Sequence, residues 1–189
     1  KKLVSPAYFK GVNTLDKKIL DPCCGSRMWY FNKNNPNVLF MDNRKLDTEL
    51  CDGRKLVISP DICSDFTKMP FDNESFYLIV FDPPHLKYAG DTSFLAQKYG
   101  KLPKDWKPLI SDGFNECWRV LKKNGTIVFK WNEEQISTSE VLKVISRKPL
   151  VGQRRGKTIF LVFFKEHNSC HIKTTINFYL KYILHTILH

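Results

Sequence analysis

Apolar and polar positions along this chain fall into a few short, sharply ended runs. Phe76-Tyr77-Leu78-Ile79-Val80-Phe81 is unbroken by any polar group, as in a strand buried on both faces at the centre of a parallel sheet. It halts at Asp82-Pro83-Pro84-His85. Proline has no N–H for a ladder and holds φ fixed, so Pro83-Pro84 ends the strand and stiffens the turn. Shorter runs stop on an acid in the same way: Lys18 to Leu20 before Asp21, Val38 to Met41 before Asp42, and Leu56 to Pro60 before Asp61. With Asp82 these acids stand 21, 19 and 21 residues apart. A short βα repeat has that length, which predicts all four on the carboxyl edge of one sheet, where open α/β sheets bind ligands. One Asp at a strand end is ordinary turn chemistry; four in register predict a binding edge.

Between the runs the pattern is helical or irregular. Met28 to Phe31 and Leu46 to Leu50 are predicted as short helices, the second closed by Cys51-Asp52-Gly53. Pro108 to Lys123 is a predicted helix with Leu109, Phe114, Cys117, Trp118, Val120 and Leu121 on its apolar face, stopped by Asn124-Gly125. Thr126 to Trp131 is a fifth strand, and Ser137-x-x-Glu140 is a capping box opening a helix to about Arg147. Leu150-Val151 and Thr158 to Phe164 flank a segment short enough for a hairpin, hence an antiparallel edge. The prediction is an α/β domain over residues 1–166, a mostly parallel sheet with helices on both faces and a C-terminal antiparallel hairpin. Residues 167–189 form a separate tail. In it Asn177, Lys181 and His185 recur every fourth position among apolar residues, a helix with one polar stripe that is too short to span a bilayer.

Composition narrows the class. A chain of 189 residues with 42% hydrophobic content suits one folded domain and excludes a disordered chain. Its net charge of +11 points to a polyanionic partner such as nucleic acid, although a generally lysine-rich proteome gives the same sum. The six cysteines form no C-x-x-C pair, and His167-x-x-Cys170-His171 offers three ligands without a partner cluster, so no metal is expected. They read as small buried apolar groups in a reducing compartment, and Lys1 to Gly11 lacks the apolar core of a signal peptide. The cytoplasm is the expected location.

Three segments carry candidate chemistry. Asp21-Pro22-Cys23-Cys24-Gly25 is a strand-end turn with one glycine, whereas a dinucleotide fingerprint needs three, which argues against NAD or FAD. Asp42, closing strand two, is placed to accept from both hydroxyls of a ribose, and Asp61 to accept from an adenine amine. Leu86 to Trp106 is a long connection in which Tyr88, Phe94, Tyr99 and Trp106 interleave with Lys87, Lys98, Lys101, Lys104 and Lys107. It reads equally as a lid for an unstacked base and its phosphates, or as a loop whose aromatics dock on the core. The basic hairpin tip, Arg154, Arg155 and Lys157, is a phosphate contact or a solvated turn.

Taken together, Leu20–Gly25, Met41–Arg44, Met69–His85 and Arg119–Trp131 resemble the class I S-adenosylmethionine-dependent methyltransferases. Within that class they are similar to the amino-methyltransferases with a D/N-P-P-Y/F/W signature, and among those to small DNA methyltransferases of phages of Gram-positive bacteria. The resemblance runs from about Leu15 to Lys165 and leaves the tail outside. It implies a Rossmann-like fold, S-adenosyl-L-methionine as cofactor, and methylation of an exocyclic amine of DNA, adenine N6 or cytosine N4. It also implies roles. Asp21 to Gly25 would hold the methionine part of the cofactor, Asp42 its ribose and Asp61 its adenine, with Pro22, Cys23, Asn43 and Ile62 beside them. Asp82 and the Pro83 carbonyl would accept from the target amine, Pro84 and His85 completing the motif. Lys87, Tyr88, Arg154, Arg155 and Lys157 would touch the nucleic acid. The chain departs from the pattern in carrying His85 where an aromatic usually stacks on the base, and in lacking a separate target-recognition domain. The same scaffold also serves RNA, protein or small-molecule acceptors, and a cofactor- or nucleic-acid-binding module without catalysis is a further alternative.

Overall fold

The computed structural model describes residues 16–50, 52–90 and 93–166, together with the backbone of 8–9 and 12–13. The helix expected in the tail beyond residue 166 lies outside the described residues. In chain order the elements are β1 (Tyr8–Phe9), β2 (Val12–Asn13), β3 (Ile19–Asp21), β4 (Val38–Asp42), β5 (Leu46–Glu49), β6 (Lys55–Ile58), β7 (Ile62–Cys63), β8 (Phe76–Phe81), α1 (Phe94–Tyr99), α2 (Lys107–Val120), β9 (Leu121–Asn132), α3 (Thr138–Ile145), β10 (Val151–Arg155) and β11 (Thr158–Phe164). Seven strands make the main sheet in the order β10-β11-β9-β8-β3-β4-β7. From β7 to β9 all neighbours are parallel, while β11 runs antiparallel to β9 and β10 antiparallel to β11. This is the mostly parallel α/β sheet with a closing antiparallel hairpin that the strand pattern predicts, and the Rossmann-like fold that the resemblance implies. No helix among the described residues is long and apolar enough to cross a membrane.

The unbroken apolar runs are explained by burial on both sides. All five residues of β4 are buried. Because side chains alternate across a strand, Leu39 and Met41 enter the main core with Ile110, Phe114 and Cys117 of α2, while Val38 and Phe40 form a smaller cluster with Cys24 on the opposite face. Fully burying one such side chain contributes roughly 1.5–3 kcal/mol. α2 approaches the sheet through Gly113, where an added Cβ would stand 2.5 Å from the Phe66 ring. Arg119 at the end of α2 straps the crossing segment down: its guanidinium donates to the carbonyls of Met69 and Phe71 and pairs with Glu116. Ser137 and Glu140 form the reciprocal capping box at the start of α3.

Four local expectations change. Residues 28–31 form turns, not a helix, with Arg27 at φ +57° and Phe31 wholly exposed. Leu46 to Glu49 is a strand whose last three residues are exposed. It pairs antiparallel with Lys55–Ile58, which therefore belongs to a separate hairpin and not to the main sheet. Leu50, Leu56 and Ile58 give that hairpin its own small core, against which Phe94 of α1 packs. Finally, α2 stops at Val120, and β9 begins immediately at Leu121 with a register irregularity opposite Phe76 and Leu78.

Candidate functional site

The chain runs β3, β4, β7 outward to one side, then returns across β3 to lay down β8 on the other. The loops leaving β3 and β8 therefore part in opposite directions and leave a crevice at the carboxyl edge, the usual ligand position in such sheets. Asp21 ends β3, Asp42 ends β4 and Asp82 follows β8, so three of the four acids share this rim.

The fourth does not. Asp61 donates its backbone N–H to the Phe40 carbonyl and accepts from the Phe40 N–H at 3.1 Å, which sets it level with Phe40 and two residues short of Asp42. Its other oxygen takes Arg27 at 3.3 Å, and Arg27 lies over the Phe40 ring. The side chain of Ile62 is buried in the main core. Pro60 has no N–H to donate to a ladder, and β7 begins at Ile62, after Asp61 has bonded to Phe40. The acid after the apolar run thus precedes its strand and stands apart from the rim that Asp21, Asp42 and Asp82 share.

The turn after β3 is stitched to the end of β4. Cys24 donates to the Met41 carbonyl at 2.9 Å, and Gly25, at φ +49°, donates to Asp42 Oδ2 at 2.9 Å. Arg44 doubles back on the same carboxylate, its Nε 3.0 Å from Oδ1 and its Nη2 3.2 Å from Oδ2. Its Nη1 reaches the Gln97 carbonyl on α1 at 3.2 Å, tying that helix over the crevice.

Asp21 is almost fully buried and accepts from the Cys23 N–H at 3.1 Å. Among the described residues no lysine or arginine pairs with it. Burial pushes its pKa up to about 7, with the Cys23 N–H and the Tyr30 hydroxyl opposing the rise and Asp82 and Asp42 adding to it. Burial likewise pushes the Cys23 and Cys24 thiols up, leaving them inert.

Asp82 is held on one side only. Trp29 Nε1 donates to Oδ2 at 2.9 Å, and Lys130 Nζ donates to the same oxygen. Lys130 follows Phe129, the β9 partner of Phe81, and Trp29 packs edge-on against Phe160 with ring centres 5.5 Å apart. Oδ1 accepts nothing among the described residues. His85 sits 5.9 Å from Tyr99 and 6.3 Å from Trp131, ring centre to ring centre. Burial lowers its pKa, and Lys130 assists while Asp82 opposes, so the imidazole is neutral at physiological pH. Gln135 Oε1 accepts from the backbone N–H groups of Lys87 and Tyr88 at 2.6 and 2.7 Å, fixing the strand-to-loop exit.

Pro22, Cys23, Asn43, Pro83 and Pro84 all line small cavities in the crevice, one beside Asp21, Asp82, His85 and Tyr99, another beside Asp42, Asp82 and Tyr99. Each holds about 50 Å³, and Arg44 lines both. Tyr88 lines neither; it is 73% exposed, with Lys87 Nζ 5.0 Å from its ring centre, and Tyr99 is the aromatic beside His85 instead. Arg155 pairs with Thr158, which pairs with Asn132 at the end of β9, so the basic hairpin tip lies on the same carboxyl edge. There Arg154 pairs with Glu133 and Lys157 with Glu134. The residue pattern did not single out Trp29, Arg44, Lys130 or Gln135 as site residues, and it named Tyr99 only among the aromatics of the long connection. Only Lys130, a charge in the middle of an apolar strand, carries a signal in the sequence.

No protein-family model matches the chain, and no curated protein does. Among solved structures it is similar to the PH0226 protein from Pyrococcus horikoshii, at 13% identity over 79% of this chain and 82% of that one, with a TM-score of 0.52. A TehB-like SAM-dependent methyltransferase from Corynebacterium glutamicum aligns at 16% identity over 80% of this chain and 81% of that one, with a TM-score of 0.48. At such identities the likeness is one of fold.

Proposed function

We propose that this chain is an S-adenosylmethionine-dependent methyltransferase acting on an exocyclic amine of a DNA base. The observation that carries the reading is the Asp82-Pro83-Pro84-His85 turn set at the switch point, directly across the crevice from the Asp21–Gly25 turn and Asp42. The acids of the crevice suit the cofactor. Asp42 is a buried acceptor at the end of the second sheet strand, suited to ribose hydroxyls. Asp21 is a buried acid without a cation, whose charge an ammonium beside it would restore. Space is the constraint: sites for ligands of this size hold about 300 Å³ or more, so entry requires Arg44 to release Asp42 and Gln97 and α1 to move aside.

S-adenosylmethionine supplies an electrophilic methyl group on a sulfonium. Everything else falls to the chain. The lone pair of an exocyclic base amine is delocalised into the ring, which makes the nitrogen a poor nucleophile. Asp82 Oδ1 and the Pro83 carbonyl accept its two N–H groups and draw the nitrogen toward tetrahedral geometry, which frees the lone pair. Lys130 and Trp29 hold Asp82 through Oδ2 and leave Oδ1 to the amine. Neutral His85 and Tyr99 offer ring faces for the flipped base.

Nucleoside mass spectrometry of DNA and RNA from cells expressing the chain tests the reading, with Asp82→Ala beside it. The native chain should give a methylated adenine or cytosine in DNA. Asp82→Ala should lose turnover by about 100-fold or more while calorimetric affinity for the cofactor persists. Equal turnover in the variant removes the mechanism, and methylation confined to RNA removes DNA as the acceptor.

A further inference from the structure

Next to the rim lies a cleft the mechanism does not use, of about 700 Å³, between the turn at residues 25–34, the β5–β6 hairpin and α1. Its lining includes five cations, Arg27, Lys33, Arg54, Lys55 and Lys98, and no carboxylate. Three are balanced by acids just outside: Arg27 by Asp61, Arg54 by Asp52 and Lys55 by Asp47. Lys33 and Lys98 have no ion-pair partner among the described residues, and Lys98 Nζ hovers 5.6 Å from the Phe94 ring and 5.1 Å from the Tyr99 ring. Phe94, Leu50 and Leu56 give the cleft an apolar wall, and Arg54 lies 4.6 Å over Phe94. Gly25, Ser26, Met28 and Lys98 line both this cleft and the small cavity beside Asp82, so the two adjoin.

We infer that the cleft is the path of a single nucleic-acid strand leading its acceptor base toward Asp82. Unpaired lysines and a ring flanked by cations match the two recurring parts of single-strand sites, charge for the backbone and an aromatic face for a base. A concave site of this volume is in the range of small-ligand sites; it takes an unstacked base with its phosphates and not the width of a duplex. The inference rests on the reading above for the acceptor class and adds where the strand lies: along the β5–β6 side, and not only over Lys87, Tyr88 and the hairpin tip.

The test is fluorescence anisotropy of a short fluorescein-labelled single-stranded DNA of mixed sequence, titrated over a range of salt without methyl donor. It is run in the native and the Asp82→Ala chains alike, so failure of methyl transfer leaves the binding result standing. Lys33→Glu with Lys98→Glu should weaken binding by at least ~10-fold. Two lost phosphate contacts should also lower the slope of log affinity against log salt by about 1.4, at about 0.7 per contact on a single strand. Lys33→Ala alone, at an exposed position, should lower it by about 0.7. Lys143→Glu with Lys148→Glu, exposed on and just beyond α3, makes the same charge change away from the cleft and should cost less than ~2-fold. Equal losses in the two pairs, unchanged affinity and slope, tighter binding of the same sequence as duplex, or equal displacement by polyglutamate would each overturn the proposal.

Discussion

Asp21 is a buried carboxyl whose titration links stability to pH. It is 4% exposed and accepts from the Cys23 N–H. Desolvation raises its pKa from 3.8 to about 7. The folded chain thus keeps a proton that the unfolded chain gives up near pH 4. Between these two values the folded state binds more protons, so stability falls as pH climbs from about 4 to about 7 and the loss is complete above that. At ~1.36 kcal/mol per pKa unit, the change is on the order of 4 kcal/mol. Asp21→Asn keeps the shape and the acceptor for Cys23 while removing the charge. Urea denaturation at a series of pH values should show native and Asn chains nearly equal near pH 4, with the Asn chain ahead by about 2–4 kcal/mol at pH 8. The difference between the two curves isolates this carboxyl from every other titrating group. Parallel curves, or a native chain that gains on the variant as pH rises, would refute the reasoning. The same charge predicts that an ammonium-bearing cofactor binds more tightly as pH rises through about 7, since Asp21 must ionise to pair with it.

Other outcomes follow from single contacts. Asp42→Ala should weaken calorimetric affinity for S-adenosylmethionine by at least ~10-fold, as it removes the acceptor proposed for the ribose; unchanged affinity would remove that role. Gly113→Ala drives a methyl group to 2.5 Å from the Phe66 ring, and a thermal melt should show a loss of about 1–3 kcal/mol, with an unchanged melting temperature ruling out the close approach of α2 to Phe66.

Features that depend on neighbours in the chain were legible before any fold was known. A proline after an apolar run ends a strand wherever that strand goes, so Asp82-Pro83-Pro84 declared itself, and so did the Ser137–Glu140 cap and the hairpin around Gly156. The short run Leu46 to Glu49 was not, because four residues fit a helix turn or a strand until a partner is known, and here the partner is Lys55–Ile58. Taking that segment out of the main sheet is also what moved Asp61 off the rim.

What the sequence determined by itself is the strand runs, their acid ends and hence a carboxyl edge with chemistry on it. What only the tertiary structure decided is which groups meet there. Trp29 reaches Asp82 across 53 residues of chain, Lys130 reaches it across 48, and Arg44 closes on Asp42 while holding Gln97. Propensity acts within a turn or two of backbone, whereas these contacts are set by strand order and register, which arise only when the whole sheet has assembled.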